Sequence, residues 1–106
     1  EHIPDDMLAL RELFRVLKPG GWAILQVPIS KVLEKTFEDQ TKIDEHERTT
    51  SFGQFDHVRI YGQDYRSRLE SVGFIVKPFH PLAENLLKKY HNYAINPQEV
   101  LYVAYK

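Results

Sequence analysis

Apolar residues recur along the chain in two distinct periods, and the alternation of those periods outlines its architecture. Ile3, Met7, Leu10, Phe14 and Leu17 follow one another at spacings of 4, 3, 4 and 3. That spacing puts one apolar stripe on one side of a helix over 5–17. Asp5 and Asp6 stand at its start, where acidic side chains cap free N–H groups and face the positive end of the dipole. Pro19 stops the helix and Gly20-Gly21 supplies a turn. The next run, 22–28, is almost continuously apolar, which predicts a strand buried on both faces.

Beyond Pro28 the pattern weakens. Val32, Leu33 and Phe37 suggest a short helix over 31–38, and Glu38 to Ser51 is a charged stretch expected in solvent. Residues 52–62 then mix aromatics with Asp, His and Arg. A connection as long as 29–61 within one domain is usually a lid or a disordered segment, and the aromatics argue for order in its second half. Tyr65, Leu69 and Val72 share a face of a helix over 63–72, with Gly73 as its stop and Phe74 able to reach back to Leu69. Strands follow over 74–79 and 100–105, separated by a short helix over 82–91. Pro78 places the first of them at an edge or a strand end. Helices between strands indicate an α/β layered domain.

The chain has 106 residues, enough for one core, and 1–106 is expected to be a single partial domain. Fourteen basic and 15 acidic residues nearly cancel, so charge argues neither for nucleic acid nor for an anionic membrane surface as partner. The absence of cysteine excludes a disulfide framework, a thiolate metal site and a cysteine nucleophile. No apolar run approaches the roughly 18–20 residues of a membrane span, and the opening residues are acidic and polar, so a cytoplasmic location is expected.

Glu1-His2-Ile3-Pro4-Asp5-Asp6, followed by Leu13-Phe14-Arg15-Val16-Leu17-Lys18-Pro19-Gly20-Gly21, resembles the second half of the class I S-adenosylmethionine-dependent methyltransferases that act on small molecules. Tyr61-Gly62 through Gly73-Phe74 and the terminal Leu101–Lys106 run are similar to later elements of that family. The resemblance covers nearly the whole chain. It implies a Rossmann-like C-terminal part: a three-stranded mixed sheet, ordered 5-7-6 in the parent's count, with the last strand antiparallel between the other two. It also implies S-adenosylmethionine as cofactor and a small molecule as methyl acceptor.

The family's Gly-rich cofactor loop has no counterpart here, because the five glycines all fall at turns. The chain by itself is therefore expected to bind the cofactor poorly and to be inactive. A non-enzymatic binding or dimerisation module is the alternative, and a fragment of a dinucleotide-binding dehydrogenase fits the junction residues less well.

By the same resemblance, Glu1 and His2 flank the cofactor at the carboxyl end of a neighbouring strand. Phe52, Phe55, His57, Arg59 and Tyr61 are the candidates for the acceptor pocket. Aromatics can wall an apolar substrate, and His57 or Arg59 can orient a polar group or take a proton. Each also reads as an anchor tying a loop to the core. His46 with Asp44, Glu45 and Glu47 matches no ligand spacing, and no metal site is expected. His80, Tyr90 and His91 are given no role beyond surface and packing. If 22–28 lacks a neighbour on one side, its apolar edge invites pairing, so a homo-oligomer through that edge is expected.

Overall fold

A computed structural model describes residues 1–80, 96 and 99–106. Helix α1 spans Asp6–Val16, and the Asp5 carboxylate caps it by accepting from the Leu8 N–H at 2.8 Å. Strand β1 spans Trp22–Ile24. A short strand β2, Phe37–Glu38, helix α2, Glu45–Phe52, and strand β3, Arg59–Ile60, make up the long excursion. Helix α3, Tyr65–Ser71, leads to strand β4, Ile75–Phe79, and strand β5 is Leu101–Tyr105. The result is a small α/β domain with three helices among the described residues, a three-stranded antiparallel sheet and a two-stranded one. No described helix is long and apolar enough to cross a membrane.

The main sheet runs β1–β5–β4, with β5 antiparallel to both neighbours. Both ladders are antiparallel, so the expected mixed sheet is corrected. The strands register Trp22 on Tyr105 and Ile75 on Tyr105, which makes β5 the shared centre. Pro78 sits inside β4, where a missing N–H is tolerated because β4 is an edge strand paired only to β5.

The core forms where α1 and α3 meet this sheet. Leu10, Tyr61, Tyr65, Leu69, Phe74, Val76 and Ala104 are buried together, with Met7, Phe14, Leu17 and Val72 packed against them. Gly73 has φ +111°, and a side chain there would lie 2.9 Å from the Phe14 ring. The absent side chain lets Phe14 stack edge-on against Phe74, their centroids 5.1 Å apart. The Lys106 ammonium donates to the Phe14 and Arg15 carbonyls at 2.7 and 3.0 Å, satisfying the open C-terminal end of α1.

Several expectations need correction. The strand expected over 22–28 ends at Ile24, although the Leu25 N–H still donates to the Tyr102 carbonyl. It is not buried on both faces: Trp22 is 60% exposed and Ile24 55%. No helix forms over 31–38. That segment instead lies along 61–64, where the Thr36 N–H and hydroxyl both donate to Asp64 and the Gln63 N–H donates to the Leu33 carbonyl. The charged stretch expected in solvent contains α2, capped by Asp44 accepting from the Glu47 N–H and ended by Gly53 at φ +86°. The helix expected over 82–91, with Tyr90 and His91, lies outside the described residues.

Candidate functional site

The carbonyl of Glu1 accepts from the Val58 N–H at 2.9 Å, so the first residues lie alongside the segment leading into β3. Arg59 locks that pairing. Its guanidinium donates to the carbonyls of Ile3 and Pro4, and its Nε donates to Glu38 at 3.1 Å. Only 2% of Arg59 is exposed, and its donors face acceptors from two distant parts of the chain.

Asp6, at the start of α1, is the second node. Arg68 grips both its oxygens at 2.8 to 3.0 Å, and the Tyr61 hydroxyl donates to it at 3.0 Å. Arg59 lies 3.8 Å away. Burial opposes ionisation of Asp6, but the Arg68 hydrogen bonds, the Arg59 charge and the Tyr61 hydroxyl outweigh it. Its carboxyl is therefore held below the usual range. Burial first, and then the neighbouring Asp6 charge, push Tyr61 well above an ordinary phenol and Tyr65 up to about 12. Neither phenol is poised to act as a base near neutral pH.

Above this buried network lies a cluster of polar side chains. His2 Nδ1 is 3.0 Å from Asp56, and its Nε2 is 3.6 Å from the Glu1 carboxylate. His57 meets His2 edge-on, their ring centroids 4.8 Å apart, and its Nδ1 lies 3.3 Å from the Phe52 carbonyl. Glu1, His2 and His57 each bring one donor atom to within 4.8 Å of the others. Glu1 also lines an apolar groove of about 220 Å³ between α1 and β1, walled by Ile3, Leu10, Leu13, Ile24, Val27 and Tyr65.

The groove follows a strand edge that has no partner among the described residues. The Leu25 and Gly21 backbones bond to β5 and the residue after it, so by antiparallel alternation those of Trp22, Ile24 and Gln26 face away from it. No charged residue stands between Trp22 and Ile29 to discourage pairing there.

The structure thus brings Glu1, His2 and His57 to one place and sends the other sequence candidates elsewhere. Phe52 is buried against Phe37, whereas Phe55 is exposed. Arg59 and Tyr61 are buried and committed to internal partners. The sequence pattern carries no sign of the ion pairs that Asp56, Asp6, Glu38 and Arg68 make. Only the Asp-His-X-Arg order at 56–59 hinted at a cluster. No protein-family model, no curated protein and no solved structure matches the chain.

Proposed function

We propose that this chain is the C-terminal part of a class I S-adenosylmethionine-dependent methyltransferase acting on a small molecule. The observation that carries the reading is the edge of β1 that no described strand covers, together with the groove beside it. A strand laid along that edge would pair with Trp22, Ile24 and Gln26 and cover Ile3 and Leu13. Such a strand would extend the sheet on the far side from β4, and Glu1 and His2 would follow closely on its end. In open α/β sheets ligands bind at strand carboxyl ends, which is where Glu1 and His2 would then lie. Cofactor contacts from Glu1 and His2, and acceptor contacts from Phe55 and His57, are part of this proposal. Phe52, Arg59 and Tyr61 would support the site from beneath.

In this reading methyl transfer is an in-line displacement at the sulfonium, and the protein's contribution is to hold donor and acceptor in line. The 106-residue chain supplies one wall of the site and does not bind cofactor well by itself. Titration calorimetry with S-adenosylhomocysteine tests this on the chain and on the intact protein from its own source. Micromolar binding by the intact protein, with little or none by the chain, is the expected result. An intact protein that binds neither S-adenosylhomocysteine nor S-adenosylmethionine would sink the reading.

The same open edge supports a second reading, a non-enzymatic module that pairs with another copy of itself through β1. Sedimentation of the chain at tens of micromolar separates a two-fold dimer from a monomer, and a monomer removes this alternative.

A further inference from the structure

Each histidine of the cluster has its Nδ1 against an acceptor from outside the Glu1, His2 and His57 group. His2 Nδ1 faces the Asp56 carboxylate at 3.0 Å, which only accepts, so Nδ1 carries a proton, and in the neutral ring the lone pair is on Nε2. His57 Nδ1 faces the Phe52 carbonyl at 3.3 Å, which likewise only accepts, so in its neutral ring too the lone pair is on Nε2. A carboxylate on one ring and a backbone carbonyl on the other is the usual outer arrangement around metal-binding imidazoles, where it sets the tautomer and raises ligand basicity.

The inner face of the cluster is correspondingly rich in electrons. His2 Nε2 lies 3.6 Å from a Glu1 carboxylate oxygen. A lone pair and an anion at that separation repel each other unless a cation stands between them. A second proton on His2 would serve, and so would a metal ion. His57 distinguishes these two occupants: it adds a third donor within 4.8 Å, which a lone proton between Glu1 and His2 does not use.

We infer that Glu1, His2 and His57 form a binding site for one divalent first-row transition ion, with zinc the natural probe. Two imidazoles and one carboxylate suit zinc and its neighbours, whereas magnesium and calcium prefer oxygen donors alone. Three protein ligands also leave at least one position open, the arrangement of zinc sites that hold water or substrate. Bonds of about 2.0–2.2 Å around a tetrahedral ion place donor atoms about 3.4 Å apart. The three donors would therefore draw together by about an ångström. His2 is roughly half exposed, so its ring has room for that movement. The site stands on these contacts and does not depend on methyl transfer.

Titration calorimetry of the tag-free chain with zinc chloride tests the assignment, with cobalt(II) absorption as a second reading. One ion per chain is expected, with visible cobalt bands of a four- or five-coordinate site. His57→Ala and His2→Ala should each weaken binding at least ~100-fold. Glu1→Gln, which removes the carboxylate charge at almost the same size, should weaken it about 10-fold or more. Asp56→Asn should cost about 10- to 100-fold through the His2 orientation alone. His46→Ala, distant in the sequence and on exposed α2, should leave binding unchanged, as should excess magnesium. Circular dichroism identifies any variant that fails to fold. No zinc uptake would overturn the site, and so would uptake that survives in folded His57→Ala or is lost in His46→Ala.

Discussion

Replacing Asp6 by asparagine isolates the charge of the buried network while almost keeping its shape. Asp6 and Glu38 face Arg59 and Arg68, two anions against two cations. The Asp6→Asn variant would leave one anion against two cations, with Arg59 shielded from water. The amide also presents a donor on one side, whereas Arg68 offers donors to both Asp6 oxygens. Tyr61 can still donate to the amide oxygen, so the loss is mainly electrostatic.

Removing one member of a buried ion pair costs about 3–5 kcal/mol. Arg68 keeps some contact with solvent, so the lower end applies, about 3 kcal/mol. That is a large share of the roughly 5–15 kcal/mol typical of a domain. Urea unfolding of both proteins at pH 7 measures the difference.

A second titration in acid checks the cause. The folded-state pKa of Asp6 is depressed, so its stabilisation is complete above the unfolded value near 3.8. It fades as pH falls through the lower folded value. Asp6→Asn has no such proton to gain, so the gap between the proteins should shrink below about pH 4. A loss under about 1 kcal/mol at neutral pH would refute the reasoning, and so would an equal loss at both pH values.

Two further outcomes follow from backbone geometry. A side chain on Gly62 would press on the Lys35 carbonyl carbon and stand 2.6 Å from its oxygen, and backbone cannot easily yield. Gly62→Ala should therefore cost at least about 1–3 kcal/mol in urea unfolding, and a neutral effect would show that 31–36 does not lie against 61–64. If a second copy covers the β1 edge, Ile24→Lys should convert a dimer to a monomer in sedimentation without lowering the thermal midpoint of the monomer, because Ile24 already faces solvent. A variant that stays dimeric would place the contact elsewhere.

Where apolar spacing and secondary structure share one cause, the sequence was a good guide. Leu10 and Phe14 face the core from α1 as their period required, and Val76 and Ala104 do so from their strands. The run at 22–28 misled because apolar residues there serve two purposes. Leu25, Val27 and Ile29 pack on the core after the ladder has ended, while Trp22 and Ile24 line an open edge. Helix α2 was illegible for the opposite reason. Glu45–Phe52 has no apolar stripe, and its signs were confined to the Asp44 cap and the Gly53 stop. Arg59 looked like a substrate ligand because a lone arginine beside aromatics carries no sign of its partners. Those partners stand at 3, 4, 6 and 38, and only the fold brings them near. His2 and His57 are far apart in the sequence, and nothing in its pattern pairs them.

The middle strand of the sheet follows both of its neighbours in the sequence. Among the described strands β1 and β4 each pair with β5 in this sheet, and Trp22 pairs with Tyr105, far along the sequence. On the ribosome neither of these two ladders can close until β5 has been made. Local helices can form early, but the sheet must close late and all at once, across a large separation that slows folding. Until then the apolar strands remain open to chaperones or to one another. Supply of β5 as a separate peptide should therefore complete a chain cut short before Leu101, much as a missing slat completes a sheet from its centre outward.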